Sequence, residues 1–309
     1  MPQPRRRSLL RRYLEVRGTV GRIRHPELVA RLRAADGVRL RGSYLTAGDG
    51  SSSVDSEVAV LLAHGFAANR RKPSYARLAE AIARHHPVLT LDLRGHGASG
   101  GRCTLGDREA LDIEAGAEWL LGVGHRRLVV VGASMGATAV LHAASRGLPV
   151  AGVVTVSAPA VFREPPHGRA LARLDAVWRS PARRGALQLG LGVRLDGPEA
   201  WSDPPHPFSM VSAIETPLLA VHGDDDGYFP PEDADQLGSS AAGPAVVWHE
   251  PVGFGHAEDG FTPAFATRLA GAMAEFAVTG VFPDRAASMS RWSPGTPGTP
   301  RTPGTQGRR

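Results

Sequence analysis

The sequence contains one cysteine, Cys103, and one lysine, Lys72. A single cysteine excludes an internal disulfide framework and any metal site built on several thiolates, so the fold must be stable without staples, as suits a reducing compartment. No apolar run approaches the roughly 18 residues needed to cross a bilayer. Arg5-Arg6-Arg7-Ser8-Leu9-Leu10-Arg11-Arg12 has the look of a twin-arginine export signal, which needs an apolar stretch of about seven to fifteen residues next. Glu15, Arg17, Arg22 and Arg24 follow instead, and a cytoplasmic location is expected. The near-absence of lysine beside abundant Ala, Gly and Pro reads as compositional bias.

The net charge of +6 and a pI near 10.3 invite a nucleic-acid reading. Their distribution argues against it. Residues 1–12 hold five arginines and no acid, residues 285–309 hold five more, and without these ten the rest of the chain carries −4. The basic excess belongs to the ends, where solvated tails account for it. The terminal stretch Ser293-Pro294-Gly295-Thr296-Pro297-Gly298 and its continuation is a Pro/Gly/Thr repeat that buries too little apolar surface to order itself, so residues 285–309 are expected to be disordered. Residues 1–37 read as a basic lead-in, helical or irregular.

Between these ends, 309 residues at 42% hydrophobic allow one large domain over residues 38–284. A strand is expected around Leu40–Thr46, then a Gly/Ser-rich turn at Gly48–Ser53. Apolar runs at Val58–Leu62, Val88–Leu91, Leu128–Val131, Val150–Val156, Leu218–Val221 and Val246–Trp248 are continuous rather than alternating, which predicts parallel strands covered on both faces. Three- and four-residue apolar spacing predicts packing helices at roughly Tyr75–His85, Arg108–Gly122, Ala137–Arg146 and Pro263–Thr279. From about 158 to 214 the pattern gives way to Pro165-Pro166, Trp178, Pro181, Trp201 and Pro204-Pro205, an insertion long enough for two or three short helices. Trp178 and Trp201 either line a pocket or fasten the insertion to the body.

Gly132-Ala133-Ser134-Met135-Gly136 follows the run Leu128–Val131 and precedes a helical stretch. A strand that reverses into a helix strains its turn residue and needs small neighbours two positions either side, which Gly132 and Gly136 supply. Ser134 would then stand exposed beside free helix N-terminal amides, a candidate nucleophile. A serine needs a base, and the base an orienting acid. Asp224, Asp225 and Asp226 follow the run ending at Val221, and His256 follows Val246-Val247-Trp248; Ser134, acid, His256 is the α/β-hydrolase order. His249 and His222 are weaker bases by position, one inside a strand and the other at a structural place.

These motifs resemble the α/β-hydrolase-fold serine hydrolases of the esterase, lipase and serine aminopeptidase-like group, from about Tyr44 to about Thr279. The resemblance implies the α/β-hydrolase fold: a mostly parallel central sheet, helices on both faces and a small helical lid over the site at the insertion. His64-Gly65-Phe66 resembles the family's oxyanion loop, which would make the Phe66 and Met135 backbone amides the oxyanion donors, with His64 supporting the loop. His64, Gly65 and Tyr228 are assigned to substrate binding, and Phe66 and Tyr228 to an acyl pocket. Asp92-Leu93-Arg94-Gly95-His96-Gly97-Ala98-Ser99-Gly100 resembles a turn that is structural in the family, so Asp92, His96 and Asp107 are given no chemistry. The family pattern Gly-x-x-Asp-x-x-x-Pro, ending here at Pro230, places the acid at Asp226 with Asp224 as runner-up; Gly227 and Phe229 depart from it.

The implied reaction is hydrolysis of a carboxylic ester, or a related thioester or amide, through an acyl-enzyme. The partner is a small acyl substrate, with no cofactor and no nucleic acid. Consecutive carboxylates on a short loop seldom aim at one centre, so no metal is expected. A non-catalytic binding protein on the same fold, or a cofactor-free peroxidase or acyltransferase with the same triad, are the alternatives. Epoxide or halide hydrolysis, which uses an aspartate at the elbow, does not fit Ser134. The sequence gives no oligomeric state.

Overall fold

The computed structural model describes residues 21, 23–48, 58–162, 166, 168–251 and 253–286. The arginines of residues 1–12, most of the Gly/Ser-rich turn and nearly all of the tail expected to be disordered lie outside the described residues.

Eight strands form one sheet: β1 (Glu27–Arg33), β2 (Arg39–Leu45), β3 (Val58–Ala63), β4 (Val88–Asp92), β5 (Arg127–Ala133), β6 (Gly152–Val156), β7 (Leu218–Gly223) and β8 (Ala245–Glu250), in the order β1-β2-β4-β3-β5-β6-β7-β8. From β3 onward all neighbours are parallel; β1–β2 and β2–β4 are antiparallel. The runs of Val and Leu in β3 to β7 are fully buried because alternate residues meet different helix layers. Val60, Leu62, Val129, Val131, Val154 and Val221 pack toward α1 (Pro73–Ile82) on one face, with Leu269, Met273 and Phe276 of the C-terminal helix beside them. Leu61, Val130 and Val153 pack on the other against α2 (Glu109–Gly122) and α3 (Met135–Ser145).

Between β6 and β7 the insertion folds as α4 (Gly168–Trp178), α5 (Pro181–Leu191) and α6 (Pro207–Val211), with a short 3-10 turn at Pro198–Ala200. Only α6 buries residues, Met210 and Val211 among them. Helix α7 (Glu232–Ser240) joins β7 to β8, and α8 (Pro263–Thr279) closes the fold. Helix α8 has the expected bounds because its stops are local: the Thr262 hydroxyl accepts from Phe265 N–H, Pro263 opens the first turn, and Gly280 caps the end at φ 74°.

The region before Val38 departs from the helical or irregular reading. β1 pairs antiparallel with β2, Glu27 opposite Leu45 and Arg33 opposite Arg39, across a turn in which Gly37 takes φ 85°. Leu28 and Val29 remain exposed. An edge strand with little apolar face to bury carries no periodic signal, and its neighbour makes it a strand.

Candidate active site

Ser134 joins β5 to α3 with φ 51° and ψ −117°, outside the regions an L-residue favours. The turn closes because its neighbours lack side chains. A Cβ at Gly132 would lie 2.3 Å from the Gly136 carbonyl oxygen, and one at Gly136 would lie 2.6 Å from that of His64. Ser134 N–H donates to the Val156 carbonyl (2.9 Å), which fastens the turn to the next strand.

His256 follows β8 on the loop leading into the 3-10 turn Ala257–Gly260. Its Nε2 lies 2.8 Å from Ser134 Oγ and its Nδ1 2.7 Å from Asp226 Oδ2. A carboxylate only accepts, so Nδ1–H donates to Asp226 and Nε2 is left to accept from the serine hydroxyl. The turn is held by Ala257 N–H donating to Ser157 Oγ (2.9 Å).

The Asp226 carboxylate is wholly buried. Its Oδ1 accepts from the N–H groups of Tyr228 (2.8 Å) and Phe229 (3.1 Å), and its Oδ2 lies 3.3 Å from His222 Nε2. Burial by itself raises its pKa, but the hydrogen bonds from His222 and His256 and the attraction of His256 outweigh it and hold the carboxyl well below the usual range. Asp224 faces away, 4.0 Å from His249, and Asp225 Oδ2 accepts Gly253 N–H (2.5 Å).

At the end of β3, Gly65 N–H donates to the Tyr75 hydroxyl (2.8 Å), while Gly65 C=O accepts from His64 Nδ1–H (2.8 Å) and Ala68 N–H (3.3 Å). A trans peptide points its C=O and N–H in opposite directions, so gripping the Gly65 carbonyl aims the Phe66 N–H the other way. Met135 N–H is the first amide of α3 and lacks an intrahelical acceptor. His64 Nε2 accepts from Leu93 N–H (3.0 Å), and His96 Nε2 accepts from Ala67 N–H (3.2 Å). Burial lowers the His64 pKa to about 4 and, with the neighbouring His64, that of His96 to about 3. Both rings are therefore neutral at ordinary pH, as their acceptor roles require. Asp92 binds Arg70 and the Ala98 N–H and shapes the turn that follows β4.

A cavity of about 600 Å³ opens at Ser134, its wall including Phe66, Met135, Trp178, Trp201 and Phe229. Trp201 packs edge-on against Phe162 (5.3 Å between centroids) and Trp178 (5.9 Å), so the two tryptophans line the cavity and pack together within the insertion. The residues assigned to substrate binding sit otherwise. His64 is buried behind the loop, Gly65 spends its amide on Tyr75, and the half-exposed Tyr228 tilts over the His256 ring at 4.4 Å; none of the three lines the cavity, where Phe229 stands instead. Among the described residues no group of three His, Cys, Asp or Glu is gathered that could hold a metal ion, and no helix is long and apolar enough to cross a membrane.

Sequence reasoning missed the supports: His222 under Asp226, Tyr75 at Gly65, and Asp107, whose carboxylate accepts from Ser202 N–H (2.8 Å) and Oγ–H (2.7 Å) and so ties the insertion to the body. His222 had a signal, standing four residues before Asp226 at a strand end.

A family model described as alpha/beta hydrolase fold matches residues 58–187. The chain is 31% identical over 166 residues to an uncharacterised protein, YqkD, of Bacillus subtilis, covering 52% of this chain; the chain thus spans about half the length of the curated relative it matches, 53%. Among solved structures, the esterase Pf2001 of Pyrococcus furiosus superposes with a TM-score of 0.60 at 22% identity, over 82% of this chain and 91% of that one. An α/β serine hydrolase without a lid from Xanthomonas campestris superposes with a TM-score of 0.53 at 18% identity, over 90% and 99%. With Ser134 at the end of β5, Asp226 after β7 and His256 after β8 of a mostly parallel sheet flanked by helices, the chain has the α/β-hydrolase fold.

Proposed function

We propose that the chain is a serine hydrolase that cleaves a carboxylic ester through an acyl-enzyme. The observation that carries this reading is the unbroken hydrogen-bonded line from Ser134 Oγ through the His256 ring to Asp226, with spans of 2.8 and 2.7 Å. In this reading Ser134 attacks the ester carbonyl as its proton passes to His256 Nε2. Asp226 holds the ring's tautomer and steadies the imidazolium. The tetrahedral oxyanion is met by the Phe66 and Met135 N–H groups, preorganised by the gripped Gly65 carbonyl and by the start of α3. Collapse breaks the C–O bond as His256 returns the proton to the departing alcohol. Water, deprotonated by the same nitrogen, then releases the acid.

The aromatic cavity of about 600 Å³ supports an apolar acyl group larger than acetyl. Thioesters and amides are open to the same steps. The esterases among the structural neighbours support the choice of ester. A cytoplasmic location belongs to the same proposal and rests on the lone, buried Cys103.

The test is labelling with a fluorophosphonate, comparing the native chain with Ser134→Ala. Label on the native chain alone is expected; no label on either would leave a binding protein on this fold. Ser134→Ala and His256→Ala should each lower ester turnover at least about a thousandfold, and the double variant should lose little more, because the two act as a unit. With p-nitrophenyl esters of increasing length, kcat/KM should rise beyond acetate.

A further inference from the structure

The lone lysine has a place beside the site. Lys72 Nζ, just before α1, lies 2.5 Å from Glu258 Oε1. Glu258 Oε2 accepts the Tyr75 hydroxyl proton (2.9 Å), and the Tyr75 oxygen accepts Gly65 N–H (2.8 Å). The polarity of this chain is forced. A carboxylate has no proton to give, so Tyr75 must donate to it and keeps only its lone pairs for Gly65. Tyr75 is 1% exposed, and burial, helped by the Glu258 charge, raises its pKa well above the ordinary value and keeps the hydroxyl protonated. Its ring is wedged edge-on between His64 (6.2 Å) and Phe261 (5.4 Å). Gly65 permits the approach: a Cβ there would already stand 3.3 Å from the Tyr75 oxygen and 3.4 Å from Glu258 Oε2.

Glu258 stands two residues past His256 and Gly65 one before Phe66, so the chain of contacts joins the segment that carries the histidine to the segment that carries an oxyanion amide. It also holds the Glu258 carboxylate against Gly65, its Oε2 3.4 Å from where a Cβ on that residue would stand, one residue before the amide assigned to the oxyanion. A negative charge so placed in a partly buried site opposes a developing oxyanion, and the Lys72 ammonium offsets it. We propose that Lys72, Glu258 and Tyr75 are positioning residues that set the oxyanion loop against the His256 turn, with Lys72 also cancelling the carboxylate charge beside the developing oxyanion. This rests on the serine-hydrolase reading above.

The device acts on the transition state and not on substrate binding, which gives it a signature that a purely structural role lacks. Kinetics on p-nitrophenyl butyrate are compared with the Ki of an aliphatic trifluoromethyl ketone, whose adduct with serine places an oxyanion in the same amides. Lys72→Met, at a side chain 40% exposed, should fold and melt like the native chain. It should lower kcat about tenfold with KM within about threefold, and raise Ki in proportion. Lys72→Arg should recover most of that loss. Tyr75→Phe should act in the same direction, and Lys72→Met added to Glu258→Gln, which no longer carries the charge that Lys72 cancels, should lose little more than Glu258→Gln alone. If Tyr75→Phe does not fold, the Lys72→Met and Lys72→Arg pair carries the test. Unchanged kcat and Ki in Lys72→Met, a loss confined to KM, or losses that multiply would overturn the proposal. Fluorophosphonate labelling of the native chain separates the two readings: no label sinks both, whereas a labelled native chain with an unaffected Lys72→Met sinks this one alone.

Discussion

Asp224, Asp225 and Asp226 are adjacent in sequence and have three different partners: His249, the Gly253 amide and His256. Only the last is buried and bonded on both oxygens, so Asp226→Asn, which keeps the shape and loses the charge, should cut kcat at least about a hundredfold under the triad reading. Asp224→Asn should stay within about threefold; the reverse ranking in steady-state assays would move the acid. The family pattern pointed to Asp226, but spacing along a loop leaves the direction of each carboxylate undetermined. The supports were less legible still. His222 becomes relevant only when the loop after β7 folds back over it, and Tyr75 only when α1 stands beside the end of β3. Their partners lie on different elements, and no local pattern encodes such a pairing.

The insertion between β6 and β7 is two elements in mechanical terms. Helices α4 and α5 bury none of their residues. Residues 193–203, by contrast, are zipped to the body: Cys103 N–H donates to Arg194 C=O (2.7 Å), Asp196 N–H to Cys103 C=O (2.8 Å), and Asp107 takes both donors of Ser202. Local stability follows buried contact, so the helical pair should open well before the rest of the fold. Asp107→Ala removes one of these ties. It should speed limited proteolysis within residues 168–201 and raise KM for long-chain esters severalfold, while the fluorophosphonate rate stays within about threefold. An unchanged cleavage pattern would show that Asp107 does not anchor the insertion. At this scale the sequence was a good guide wherever an element is defined by its own residues, as with α8, and a poor one for β1, which exists through its neighbour.

The molecule as a whole has a sheet shielded on both sides, and it encloses titratable groups in a fixed state. His64 and His96, 1% and 0% exposed, stay neutral when folded, whereas an imidazole in the unfolded chain takes a proton near pH 6.5. Their pKa values are lowered in the fold, so below pH 6.5 the unfolded chain binds protons that the native chain refuses. Stability from this source is complete above about pH 6.5 and declines as the pH falls, His64 alone costing on the order of 3 kcal/mol by pH 4. Asp226, lowered as a carboxyl group, adds its loss only below about pH 4. Asp112, whose carboxyl burial lifts to about 7, takes up a proton in the native chain over the same range and works the other way. The two rings are therefore read directly: their imidazole NMR shifts should stay those of neutral rings from pH 7 to 5, and charged rings at pH 5 would overturn the assignment. By itself the sequence determined the parallel sheet, the serine elbow and the order of the motifs, because continuous apolar runs and obligatory glycines act over a few residues. Tertiary structure alone decided what steadies Asp226, what grips the Gly65 peptide and which of the pocket candidates line the cavity, because those contacts join residues up to 186 positions apart whose directions are set by packing.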